Sequence, residues 1–138
     1  MRNIVITGAS SGMGEALALL YAAPGVALGL VGRNAARLAK VAEAGAAAGA
    51  ACIQGALDVT NADEVRAFVG DFDAKHPIDL IIVNAGIFDG RRPGQEIEDL
   101  ETSLRVIETN LNGALATVHA ALPGMRRRGR GHIVIMSP

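Results

Sequence analysis

Short apolar runs alternate with amphipathic ones along the whole chain. Asn3 to Thr7 reads as a buried strand. Gly14 to Ala22 follows as a helix with Leu17, Leu20 and Tyr21 on one side, ended by Pro24-Gly25. Val26 to Gly32 is a second strand. Asn34 is a good cap for a helix over Ala35 to Ala48, whose inner face is Leu38, Val41 and Ala42. Gly45 and Gly49 weaken the alanine-rich end of that helix, so fraying is expected there. Ala51 to Leu57 is a third strand, weaker for Gly55. Asp58-Val59-Thr60-Asn61 comes next, with Asn61 or Thr60 as the cap of a helix. In that helix Val65, Phe68, Val69 and Phe72 fall at i, i+3, i+4 and i+7, and Pro77 stops it. Asp79 to Val83 is a fourth strand ending in Asn84-Ala85-Gly86. A polar loop with Gly90, Arg91, Arg92, Pro93 and Gly94 leads to one long helix from about Glu98 to Met125. Leu104, Ile107, Leu111, Leu115, Val118 and Leu122 keep its 3.6-residue period, and Pro123 kinks or ends it. Gly129 and Gly131 turn the chain into a last strand, His132 to Met136.

This alternation with short connections predicts an α/β fold: a Rossmann-type, doubly wound parallel sheet with helices on both faces and right-handed crossovers. Ligands of such sheets bind beyond the carboxyl ends of the strands, near the point where strand order reverses. Composition agrees. The 138 residues make one domain, 1–138. Half of them are hydrophobic, yet only 3% are aromatic, so the core is aliphatic, as suits parallel strands covered on both faces. A net charge of −1 gives no reason to expect nucleic acid or an acidic membrane as partner. Apolar stretches such as Val26 to Val31 and Leu80 to Val83 are strand-sized, far short of a membrane span. The chain has a single cysteine, Cys52, and runs directly into a strand without a secretory leader, so a soluble, cytoplasmic protein is expected.

The chemistry concentrates at the predicted strand ends. Thr7-Gly8-Ala9-Ser10-Ser11-Gly12-Met13-Gly14 joins the first strand to the first helix. Unpaired N–H groups at a helix start stabilise an anion, and Gly8, Gly12 and Gly14 permit positive φ and close approach, so a dinucleotide pyrophosphate is expected on this turn. A plain glycine-rich connection is the alternative. The second strand ends in Val31-Gly32-Arg33-Asn34. In NAD-binding folds a carboxylate at about this place, some ~20 residues after the turn, bonds the ribose 2′-hydroxyl. Here Arg33 stands instead, and a guanidinium can bind a 2′-phosphate bidentately. NADP(H) is therefore preferred over NAD(H), with the hydroxyls of Ser10 and Ser11 available to the same phosphate. Asp58 can accept from an adenine amino group or serve as a turn aspartate before Asn61. Ala85 and Gly86 are small enough for a cofactor to come close. Asn110 is a poor interior helix residue, which calls for a specific reason.

Thr7-Gly8-x-x-x-Gly12-x-Gly14, Asp58-Val59, Asn84-Ala85-Gly86 and Asn110 in a long helix, in that order, resemble the short-chain dehydrogenase/reductase family from residue 3 to the end of the chain. The resemblance implies that the Asp58 side chain and the Val59 N–H contact adenine, and that Asn84-Ala85-Gly86 lies along the cofactor. It implies that Asn110 holds a water in a proton relay and that a catalytic serine follows the last strand. Ser137 stands there, with Pro138 where the common version has a second serine. It also implies reversible hydride transfer between the nicotinamide and a small carbonyl or secondary alcohol, and a long helix that forms subunit contacts in a homo-oligomer. The family's Tyr-x-x-x-Lys pair is absent from these residues: the one tyrosine is Tyr21, and the lysines are Lys40 and Lys75. The expectation is thus a cofactor-binding part cut before its catalytic tyrosine and inactive alone. The competing expectation is a non-catalytic dinucleotide-binding or assembly module ending at 138. The run Arg126 to Arg130 suits a helix C-terminus and solubility, Arg91 and Arg92 suit a solvated loop, and His76, His119 and His132 lack metal-ligand spacing.

Overall fold

The computed structural model describes residues 1–88 and 91–137, so Gly90 and Pro138 lie outside the described residues. Five strands, β1 (Asn3–Thr7), β2 (Ala27–Gly32), β3 (Ala51–Ala56), β4 (Leu80–Val83) and β5 (His132–Ile135), form one parallel sheet in the order β3-β2-β1-β4-β5. The chain winds outward from β1 to β3, then returns to place β4 on the other side of β1. The strand order reverses between β1 and β4, which opens a crevice beyond their carboxyl ends.

Side chains alternate across the sheet and build one core on each face. Ile4, Ile6, Leu28, Leu30, Leu80 and Ile82 face α1 (Gly12–Tyr21) and α2 (Ala35–Ala47), meeting Ala18, Leu38, Val41 and Ala42. Val5, Ala27, Val31 and Ile81 face α3 (Ala62–Lys75) and α5 (Gly113–Arg128), meeting Val65, Val69, Phe72, Ala121 and Met125. The predicted fold class is therefore observed, and its core is aliphatic but for Phe72, with Phe68 and Tyr21 packed at the edges.

Several details differ from the sequence expectation. Helix α1 begins at Gly12 and ends at Tyr21, and Leu20 points outward, 77% exposed. The inner stripe starts at buried Gly14 and continues through Leu17, Ala18 and Tyr21 at i+3, i+4 and i+7, so Leu20 falls on the opposite side. The end of α2 is not frayed but capped: Gly49 adopts φ +98° and the Ala50 N–H donates to the Gly45 carbonyl at 3.1 Å. Gly45 faces the sheet, where a Cβ would come within 2.7 Å of Cys52 Sγ. In β3, which ends at Ala56, Gly55 leaves room for the Phe68 ring, 2.7 Å from where its Cβ would be. Asn61, not Thr60, caps α3 by accepting from the Glu64 N–H at 3.2 Å. Asp79 lies before β4 and accepts from the Arg2 and Asn3 N–H groups, tying down the start of β1.

The expected single helix over 98–125 is three pieces: α4 (Leu100–Ile107), a π-helical turn (Glu108–Asn112) and α5. Pro123 sits inside α5, which continues to Arg128. Both Pro123 and His119, whose carbonyl loses its donor, are exposed, so water can replace the missing bond. The periodic leucines do not face the core either. Leu104, Ile107, Leu111 and Leu115 are about half exposed, while the buried face is Thr102, Thr109, Gly113, Thr117 and Ala121. Small residues let this face come close: a Cβ on Gly113 would lie 2.6 Å from Val59. Thr117 is satisfied by donating to the Gly113 carbonyl at 2.8 Å. Near the far end of α5, Arg128 donates to both Asp73 oxygens, at 2.9 and 2.7 Å. Burial raises the Asp73 pKa, but the bonds from Arg128 and the Ile78 N–H and the nearby positive charge outweigh it and hold the carboxyl below its ordinary value.

Candidate cofactor site

The glycine turn is built against the end of β4. Thr7 closes β1, and its hydroxyl oxygen accepts from the Asn84 N–H at 3.1 Å and the Ala85 N–H at 3.0 Å. Asn84 Nδ2 donates back to the Thr7 and Gly8 carbonyls at 3.2 and 3.3 Å. Gly8 has φ +67°, and a Cβ there would lie 2.9 Å from the Ala85 Cα. A Cβ on buried Gly14 would collide with the Gly8 carbonyl. Gly12 is different: its φ is +56°, but nothing lies within 4 Å of where its Cβ would be. Its glycine is required by backbone conformation alone.

The start of α1 is unlike the other helix starts that follow a loop. Asn34, Asn61 and Asp99 each accept from a first-turn N–H of α2, α3 and α4. Ser11, at the same position of α1, makes no side-chain cap bond. The first-turn N–H groups of α1 thus remain available to an anion.

They border a cavity of about 660 Å³ beyond the carboxyl ends of β1, β2, β3 and β4. Of the residues singled out in the sequence, Gly8, Ser10, Ser11, Met13, Arg33, Asp58, Val59, Asn84, Ala85 and Gly86 line it. Gly12 and Gly14 shape the turn without lining the wall. Asp58 is a turn aspartate, its Oδ1 accepting from the Thr60 N–H and hydroxyl at 3.0 and 2.9 Å, and the residue also lines the cavity. Ser137 is exposed after β5 and is not part of the wall. The wall also includes Gly32, Asn34, Arg37, Ile87 and Thr109, which pattern reading missed. Gly32 admits Ser10, whose Cβ would be 3.0 Å from a Cβ there, so the turn and the β2 end pack together. Thr109 carried one signal, its place beside Asn110.

Asn110 lies in the π-helical turn, and its amide is engaged by one residue. Oδ1 accepts from the Ile87 N–H at 2.7 Å, and Nδ2 donates to the Ile87 carbonyl at 2.8 Å. This two-bond clamp on the segment that follows β4 and lines the cavity is a structural reason for an asparagine inside a helix. The π turn inserts the extra residue that brings the amide level with Ile87.

The polar lining suits a dinucleotide: uncapped backbone N–H donors at one side, the Asp58 carboxylate as acceptor, and the exposed guanidiniums of Arg33 and Arg37. Among the described residues no group of three or more His, Cys, Asp or Glu side chains could hold a metal ion, and no helix is long and apolar enough to cross a membrane.

The family model described as short chain dehydrogenase matches residues 2–138. The chain belongs to the short-chain dehydrogenase family. This is a family of oxidoreductases that bind a nicotinamide dinucleotide. An oxidoreductase of unstated substrate from Myxococcus xanthus is 38% identical over 137 residues, covering 99% of this chain and 53% of that protein. An NADP-dependent 3-hydroxy acid dehydrogenase from Salmonella typhi is 32% identical over 134 residues, covering 95% of this chain and 52% of that protein. A solved 3-oxoacyl-(acyl-carrier protein) reductase with bound NAD from Brucella melitensis superposes with a TM-score of 0.86 at 30% identity, covering 99% of this chain and 53% of that one. The short-chain dehydrogenase chain described here thus spans about half the length of these relatives.

Proposed function

We propose that residues 1–138 are the cofactor-binding part of an NADP(H)-preferring short-chain dehydrogenase that transfers hydride between the nicotinamide and a carbonyl or secondary alcohol. The observation that carries the preference is Arg33: it lines the cavity where a carboxylate would favour NAD(H), and no hydrogen bond or ion pair engages its side chain among the described residues. The Salmonella relative's NADP dependence supports the same reading, whereas the Brucella reductase carries NAD.

In this reading the first-turn N–H groups of α1 hold the pyrophosphate, with Gly8, Gly12, Met13 and Gly14 shaping the approach. Ser10, Ser11 and Arg33 take the 2′-phosphate. Asp58 and the Val59 N–H take adenine, and Asn84, Ala85 and Gly86 border the ribose and nicotinamide path. The bound cofactor supplies the hydride. Asn110 holds Ile87 and, through it, the wall, and is the candidate for holding the water of a proton relay. Ser137 is the candidate for polarising the substrate oxygen. The Tyr-x-x-x-Lys pair is not among these residues, so the 138-residue chain alone should bind cofactor without reducing carbonyls. A cytoplasmic location remains part of this reading. So does self-association through the exposed stripe Leu100, Leu104, Ile107, Leu111 and Leu115.

Titration of the purified chain with NADP⁺ and NAD⁺ by calorimetry tests the proposal. Binding of NADP⁺ at least roughly tenfold tighter is expected. Equal affinities, or a preference for NAD⁺, would overturn it.

A further inference from the structure

The start of α2 carries an electrostatic oddity. Helices that follow a loop here place a carboxylate in their first turn, where it complements the helix dipole: Glu15 in α1, Asp63 and Glu64 in α3, Glu101 in α4. Helix α2 has none, and its third residue is Arg37. A cation there opposes the dipole unless an anion joins it.

Arg37 and Arg33 stand on either side of Asn34, whose Oδ1 accepts from the Arg37 N–H at 2.9 Å. Both line the cavity and both are exposed. Three arginines away from the cavity have partners, Arg66 with Asp63, Arg91 with the Glu96 carbonyl and Arg128 with Asp73, and other arginines without one do not line the cavity. No hydrogen bond or ion pair engages the side chain of Arg33 or Arg37 among the described residues. Asp58 is the one carboxylate in the described wall, and it bonds to Thr60 rather than to either guanidinium. Two unpaired cations and a helix N-terminus thus meet at one corner, with the Ser10 hydroxyl packed against Gly32 beside them.

We propose that Arg37 is a second specificity-determining guanidinium, clamping the 2′-phosphate of NADP(H) together with Arg33. This rests on the cofactor reading above and deepens it. A phosphate monoester carries a charge approaching −2 at neutral pH. One guanidinium neutralises half of that, and two match it. Each can offer paired N–H donors to phosphate oxygens.

Two probes isolate the term: adenosine 2′,5′-bisphosphate and 5′-AMP differ only by the 2′-phosphate. Their affinities for the purified chain, for Arg37→Gln, for Arg33→Gln and for the double variant can be compared by calorimetry. Arg37→Gln is expected to weaken the bisphosphate about tenfold and leave 5′-AMP unchanged, and Arg37→Lys to recover part of the loss. The double variant should bind both probes alike. If Arg37→Gln leaves the ratio of the two affinities at the unsubstituted value while Arg33→Gln lowers it, Arg37 has no such role and the NADP(H) reading stands. If the unsubstituted chain does not distinguish the probes, the NADP(H) reading falls and this inference with it.

Discussion

At the β1–α1 junction the groups that offer an anion a site are chiefly the backbone N–H groups of the first turn, with the Ser10 and Ser11 hydroxyls beside them. At the β2–α2 junction they belong to side chains. The first junction is over-determined by packing at its base: Gly14 meets the Gly8 carbonyl, Gly8 meets Ala85, and Asn84 bonds back to both turn carbonyls. The second carries two exposed arginines whose side chains nothing in the described protein holds. A site of the first kind suits what all nicotinamide dinucleotides share, the pyrophosphate, because every residue but proline supplies the same peptide N–H. A site of the second kind suits what differs between them, because a free side chain can be replaced without disturbing the fold.

That contrast can be broken at its strongest point. Gly14→Val forces a side chain into the Gly8 carbonyl and should cost ~3 kcal/mol or more of stability, with loss of NADP⁺ and NAD⁺ binding alike, read by denaturant unfolding and calorimetry. Arg33→Gln should do the opposite. Stability stays unchanged, NADP⁺ affinity falls about tenfold, and NAD⁺ affinity stays level, consistent with the loss of charge-assisted bonds to one phosphate. Equal losses for both dinucleotides would erase the distinction between the junctions.

Asn110→Ala sharpens the comparison from the far wall. It frees both Ile87 backbone groups and should cost about 1–2 kcal/mol of stability, with a several-fold loss for both dinucleotides. Asp73→Asn, remote from both junctions, should leave affinity unchanged but alter the response to acid. The folded-state pKa of Asp73 is depressed, so its stabilisation is fully present above the ordinary carboxylate value and is lost as pH falls through the lowered one. The variant's stability should therefore decline less steeply below about pH 4, measured by thermal melts across pH.

The element order, the caps at Asn34 and Asn61, and the glycine turn were legible because each depends on neighbours a few residues away. The cavity wall was legible wherever a motif spanned a strand end, as at Asn84-Ala85-Gly86. Arg37 was not, since an arginine in a helix is ordinary until its missing partners can be seen. The leucine stripe of α4 and α5 was read as an ordinary helical period. Periodicity reveals that a helix has an apolar face but not which way that face is turned. Here glycine and threonine permit the closer approach to the sheet, and the leucines are left outside.

From the sequence alone, then, came the fold class, the strand-turn-helix cradle and the arginine in place of a carboxylate, all carried by local spacing and residue chemistry. The tertiary structure alone decided three things. It showed that Asn110 clamps Ile87 across 23 positions of chain, that α1 starts uncapped while its neighbours are capped, and that Arg33 and Arg37 share one corner without a counter-charge. The first joins segments far apart in the chain, and the other two depend on where side chains turn and which partners packing leaves them, which spacing alone does not reveal.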